Sequence, residues 1–211
     1  MSGSKQQHDL LLIRELELIL DSCKLELTAV DEIWPSLFLG NVAAAQNKKI
    51  LRDLSITHVL NAAHSKQGSI GDQSFYGSTC VYFGIPAEDS DHFDLSQYFK
   101  VAADFIHKGL QSKEGKVRVQ QRGILSFSKH LQPHFFPFFF TGRVLVHCIM
   151  GVSRSATLIL AYLMLKERLT LRDALRQVVQ KRAIYPNRNF LSLLLKLDEQ
   201  LERKRRLCPL L

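Results

Sequence analysis

The chain has 211 residues, 46% of them hydrophobic, and a formal net charge of +8. That length suits one domain with a substantial core, or at most two small ones. No run of about twenty apolar residues is present to span a membrane. The opening MSGSKQQHD lacks the apolar stretch of a secretory signal, and Cys23, Cys80, Cys148 and Cys208 form no CxxC pair and no metal-ligand spacing. A reduced cytosolic or nuclear protein without a metal is expected.

In chain order, 10-LLLIRELELILDSC-23 carries Leu and Ile at helical spacing and reads as an amphipathic docking helix. Residues 31–41 read as a turn and one short strand ending at Gly40-Asn41, and 42–54 as a helix. The β-branched run 56-ITHVLNAA-63 reads as a buried strand, 65–74 as a polar Gly-rich loop, 80-CVYFGIP-86 as a strand and 87-AEDSDHFD-94 as an acidic loop. A helix is predicted over 95–110, a strand over 143–147 and an almost wholly apolar helix over 153–167. Thr170, with Asp173 three residues on, caps a helix over 170–182, and Asn187 caps a last one over 187–206. Strands alternate with helices, so the fold class is α/β: a single-domain sandwich around a central, mostly parallel sheet.

The basic excess is uneven. Lys116, Arg118, Arg122 and Lys129 lie in one block without any acid, and 203-RKRR-206 adds more. Neither stretch interleaves aromatic residues as a nucleic-acid module would, so no nucleic-acid or membrane partner is expected.

Chemistry concentrates at 147-HCIMGVSR-154, which leaves an apolar strand and enters a helix. Gly151 permits backbone conformations closed to other residues. A loop here can turn successive N–H groups of Ile149, Met150, Gly151, Val152 and Ser153 toward an anion, and the following helix N-terminus adds further donors. Arg154 can grip two phosphate oxygens side by side, which Lys cannot do. Such a positive setting favours a thiolate, and a thiolate inside a phosphate cradle is a nucleophile aimed at phosphorus. The bland reading, Cys148 as a small apolar residue at a strand end, leaves the Arg and the loop unexplained.

HCIMGVSRSAT followed by LAYLM resembles the Cys-x5-Arg signature of protein tyrosine phosphatases, and within them the dual-specificity branch. The resemblance runs through 30-VDEIWPSLFLGN-41, 57-THVLNAAH-64, 75-FYGS-78, 100-KVAADFIHKGL-110 and 186-PNRNFL-191. Among small atypical members, the muscle-type phosphatase and its relatives are the most similar. The resemblance implies a cysteinyl-phosphate mechanism on phosphotyrosine and phosphoserine/threonine of proteins. Cys148 is the implied nucleophile, Arg154 the phosphate clamp, Asp89 the general acid and Ser155 the hydroxyl that helps the thiolate leave. His147 supports the loop and the thiolate without transferring protons. Asn187 matches a supporting Asn, although an N-cap describes it as well. Residue type alone does not separate Asp89 from Glu88, Asp91 and Asp94. No cofactor is implied. Uncharged Ile149, Met150 and Val152 argue for phosphoproteins, a class that takes in protein kinases, over polyphosphorylated lipid or RNA. Oligomeric state is open. The competing reading is a phosphoprotein-binding scaffold without turnover.

One block departs from the family. Asp89 and Cys148 are 59 positions apart, and Lys116–Gly142 accounts for 27 residues that match nothing in the resemblance. Removing them leaves 32 positions, the interval typical of the family. Gly115-Lys116 can be encoded G|GTAAG, 135-FFPFFF-140 requires a pyrimidine tract, and Thr141-Gly142 can be encoded ACAG|G. The block is therefore expected to be a retained intron rather than a regulatory insertion or an aromatic membrane-touching loop. The expected organisation is a helical extension over 1–24, a phosphatase domain over 25–206 interrupted at 116–142, and a tail over 207–211.

Overall fold

A computed structural model describes residues 2–65, 71–112 and 142–207. Residues 116–141 of the atypical block, 66–70 of the Gly-rich loop and 208–211 of the tail lie outside the described residues. Five strands form one sheet: β1 (Val30–Trp34), β2 (Leu37–Gly40), β3 (His58–Asn61), β4 (Val81–Gly84) and β5 (Val144–His147), in the order β1-β2-β5-β3-β4. All neighbours are parallel except the β1–β2 edge pair. The central strand is β5, whose Val144, Leu145 and Val146 are completely buried. Each such side chain is worth roughly 1.5–3 kcal/mol of burial.

Alternation along the strands divides the core. Leu37, Leu39, Leu60, Val144 and Val146 enter the larger cluster on one face. Phe38, Val59 and Leu145 enter a smaller one on the other. The larger face is covered by α5 (Phe99–Gln111) and α6 (Arg154–Lys166), with α8 (Arg188–Leu207) packed on α6. Residues 155–164 of α6 are all buried, as befits a helix enclosed on every side. Near the start of the chain, α1 (Ser2–Asp21) brings Ile13, Leu16 and Leu20 into the main core against α7 (Leu171–Val179) and α8. Among the described residues no helix is long and apolar enough to cross a membrane.

Three local expectations need correction. Residues 31–41 hold two strands, because Ser36 adopts φ 61° and its N–H bonds Glu32 Oε1 at 2.8 Å, reversing the chain. The helix expected over 42–54 is broken into α2 (Val42–Ala45) and α3 (Lys48–Asp53). Asn47 interrupts it by accepting from the N–H groups of Lys49 and Ile50, a side chain competing with the backbone ladder. In the Gly-rich loop, Asp72 caps a short helix, α4 (Gln73–Tyr76). The Thr170 cap forms as expected, accepting from Asp173 N–H at 3.1 Å.

Where α5 gives way to β5, Gly142 N–H bonds Ser112 C=O at 3.0 Å. A Cβ at Gly142 would run into Gly109 O and Ser112 Oγ, so this position admits only glycine.

Candidate active site

Loops at the carboxyl ends of parallel strands are where α/β sheets place their sites. Cys148 follows the last residue of the central strand β5 there, and Arg154 opens α6 six residues later. The intervening loop is held from outside at four consecutive carbonyls. Ile149 C=O accepts from Val42 N–H at 3.1 Å, and Val152 C=O from Tyr185 N–H at 2.9 Å. Gly151 C=O accepts from Arg182 Nε at 3.0 Å and Met150 C=O from Arg182 Nη2 at 3.4 Å. In a planar trans peptide the N–H points opposite to the C=O. Four outward carbonyls therefore turn the N–H groups of residues 150–153 toward the other side, where the sulfur sits. The peptide between Met150 and Gly151 shows it directly: Gly151 N–H points at Cys148 Sγ, 3.2 Å away.

Gly151 has φ 70°, and a Cβ there would meet Gly40 O as well as Arg182 Nη2. Both the conformation and the space require glycine. Ser155 Oγ donates to Cys148 Sγ at 3.2 Å. The sulfur is thus buried, 2% exposed, and faces two hydrogen-bond donors at the N-terminus of a helix.

Asp89 closes the other side. Its Oδ1 accepts from Ser153 Oγ and from Asn187 Nδ2, each at 2.8 Å. Its Oδ2 lies 3.5 Å from Arg154 Nε, and Arg154 Nη1 donates to Ala87 C=O at 3.2 Å. Of the neighbouring acids, Asp94 is engaged elsewhere, capping the turn at Leu95–Tyr98. Asn187 Oδ1 caps α8 by accepting from Phe190 N–H at 2.9 Å, while Nδ2 donates to Asp89.

His147 is 1% exposed, with Nδ1 3.3 Å from Cys148 O and Nε2 without a hydrogen-bond partner among the described residues. Burial lowers its pKa to about 4, so the ring is neutral at pH 7 and brings the neighbouring sulfur no positive charge. The depressed value makes a stability prediction. Between about pH 6.5 and 4 the unfolded chain holds a proton that the folded chain refuses, so acidification through that window destabilises the fold. His147 alone is expected to remove about 2 kcal/mol between pH 7 and pH 5. Urea midpoints at the two pH values check this, and His147→Gln should flatten the difference.

Cys80 sits just before β4, at the opposite end of the parallel sheet from Cys148, and its Sγ donates to Ile56 O. It is not placed to form a disulfide with Cys148.

Residue pattern did not single out Arg182 or the Asp31 and Thr28 that hold it. Arg182 reads as one of several charges ending an amphipathic helix, and its burial arises only when β1 packs against α7.

The chain belongs to the dual specificity protein phosphatase family. Dual specificity protein phosphatase 26 of Bos taurus is 44% identical over 197 residues, covering 93% of this chain and 80% of that protein. Human dual specificity protein phosphatase 13B is 42% identical over 179 residues, covering 84% and 77%. The family described as "Dual specificity phosphatase, catalytic domain" matches residues 140–200, from the end of the atypical block onward. The crystal structure of human DUSP28 shares the fold, with a TM-score of 0.61 at 24% identity over 83% of this chain and 96% of that one. The family makes the protein a cysteine-dependent protein phosphatase, and a scaffold without turnover is not favoured.

Proposed function

We propose that this phosphatase cleaves phosphotyrosine and phosphoserine/threonine esters of proteins through a cysteinyl-phosphate intermediate. The observation that carries the reading is the Cys148 sulfur facing the Gly151 N–H and the Ser155 hydroxyl, inside a loop whose carbonyls are all turned outward. In the first step the Cys148 thiolate forms the S–P bond as the P–O ester bond breaks. Asp89 gives its proton to the departing oxygen. Arg154 and the N–H groups of residues 150–153 hold the phosphoryl oxygens as charge shifts onto them. In the second step the Asp89 carboxylate takes a proton from water, the water oxygen bonds phosphorus and the S–P bond breaks. Ser155 stabilises the returning thiolate by its hydrogen bond. Asn187 and Ser153 hold Asp89 over the loop, and neutral His147 is buried against the Cys148 carbonyl.

Two large apolar side chains are exposed at the cradle, Met150 and Tyr185, at 59% and 46%. Apolar Met150 and Tyr185, with acidic Glu88 and Asp89 exposed on the facing loop, suit a phosphorylated protein segment better than a polyphosphorylated lipid headgroup. Protein kinases belong to that substrate class, and the cytosol or nucleus is where a free nucleophilic thiol persists. Turnover of phosphotyrosine and phosphothreonine peptides tests the reading. Release of phosphate from neither would sink it, and release from an inositol polyphosphate at a higher kcat/KM would replace it.

We also propose that Lys116–Gly142 is dispensable, as a retained intron would be. Deleting it places Gly115 where Gly142 now sits. The Gly142 N–H to Ser112 C=O bond then becomes the closing bond of a four-residue turn, Ser112-Lys113-Glu114-Gly115. Serine first and glycine last is what a type I turn favours, and the glycine meets the demand for no Cβ. The shortened protein is expected to fold and to match or exceed the parent in kcat/KM. An insoluble or inactive deletion variant would overturn this, as would a gene lacking GT and AG at the two junctions.

A further inference from the structure

Arg182 is among the largest fully buried side chains of the described residues, 1% exposed, and it lies just beyond α7. A buried guanidinium is costly unless every side of it is paired. Its Nη1 donates to Asp31 Oδ2 at 2.7 Å, to Thr28 C=O at 3.0 Å and to Thr28 Oγ1 at 3.3 Å. That side fixes the guanidinium against the residues that lead into and begin β1. The other side, Nε and Nη2, faces the carbonyls of Gly151 and Met150.

We propose that Arg182 is a positioning residue for phosphate binding. Its fork sets the planes of the 150–151 and 151–152 peptides, and so aims the Gly151 and Val152 N–H groups into the cradle. The inference deepens the phosphatase reading and rests on it.

The need for such a fork follows from Gly151. With φ 70° and no side chain, this residue has little local preference for one peptide orientation over its flipped alternative. A flip of the 150–151 peptide would turn Met150 C=O toward the sulfur and present a negative dipole end to an incoming phosphate. Arg182 opposes the flip because its donors are reached only by outward carbonyls. The Asp31 carboxylate holds the guanidinium in place and balances its charge. Lysine does not substitute: one ammonium can keep Asp31, but it lacks the planar array that also spans two successive carbonyls.

The test uses the full chain and Arg182→Met and Arg182→Lys. Tungstate, a tetrahedral oxyanion, is titrated calorimetrically, aryl phosphate turnover is measured, and rates are referred to the folded fraction from thermal melts. Arg182→Met is expected to weaken tungstate about tenfold or more and to lower kcat/KM about 10²-fold, the scale of losing an oriented donor. Arg182→Lys should stay folded and fall between Met and wild type in both readouts. A purely structural Arg would lower the melting temperature and leave the tungstate Kd of the folded protein unchanged. Wild-type Kd and kcat/KM in a folded Arg182→Met would overturn the proposal. If that variant does not fold, Arg182→Lys decides alone, and wild-type values there overturn it. Tungstate binding is independent of turnover. A wild-type chain that binds tungstate without hydrolysing any phosphoester would therefore fail the phosphatase reading, while the two variants still report on Arg182.

Discussion

Cys148→Ser is expected to lower kcat/KM for an aryl phosphate by at least about 10⁴-fold, the scale seen when a covalent nucleophile is removed. The substitution changes one atom. The sulfur already accepts from Gly151 N–H and Ser155 Oγ, and a hydroxyl oxygen can accept from both. The loop geometry should therefore survive, and thermal stability should stay close to that of wild type. Reactivity does not survive, because an alkyl hydroxyl is not ionised near pH 7 and no general base touches this position: neutral His147 sits with Nδ1 on the Cys148 carbonyl oxygen, not on the sulfur. The variant should still bind phosphopeptide, since the cradle is intact. Initial rates of nitrophenyl phosphate hydrolysis on matched preparations check this. Equal rates in wild type and Cys148→Ser would exclude a cysteine nucleophile.

Asp89→Asn is expected to lower kcat/KM about 10²–10³-fold, the usual contribution of a positioned general acid. The loss should depend on the leaving group. A nitrophenolate departs with little help, whereas a serine or threonine alkoxide needs the proton, so phosphothreonine peptides should lose more than nitrophenyl phosphate. An equal loss on both would assign Asp89 to loop support through Ser153 and Asn187 instead of to proton transfer. Asparagine keeps the shape and a carbonyl oxygen facing those donors, so the comparison isolates the proton. The Coulombic contact with Arg154 at 3.5 Å also disappears. Calorimetric titration of tungstate separates that effect, because tungstate needs Arg154 but no acid.

Much of the site is local along the chain. Cys148, Gly151, Arg154 and Ser155 stand within eight consecutive residues between a strand and a helix, so their residue types and spacing are readable together. The parallel α/β class followed from alternating apolar runs and helical periods for the same reason. Misread elements are those where one side chain overrules a period: Asn47 splitting a helix, and the Pro35-Ser36 reversal making a hairpin of one expected strand.

Asp89 illustrates the boundary between the two kinds of information. Four acids crowd residues 88–94, and nothing in their types distinguishes them. The turn after β4 brings Asp89 onto Ser153 and Asn187, contacts spanning 64 and 98 positions of sequence. Cys80 shows the reverse: the sequence leaves a pairing with Cys148 open, and the parallel sheet puts the two at opposite ends.

By itself the sequence determined the loop that carries Cys148, the fold class, and the departure of Lys116–Gly142 from the surrounding pattern, because each is written in adjacent residues and their spacing. Only the tertiary structure decided which acid meets the cradle, that Arg182 is buried behind it, and that Ser112 and Gly142 meet across the block. Those depend on backbone groups brought together from distant segments, and a hydrogen bond to a carbonyl leaves no trace in the identity of the residue that carries it.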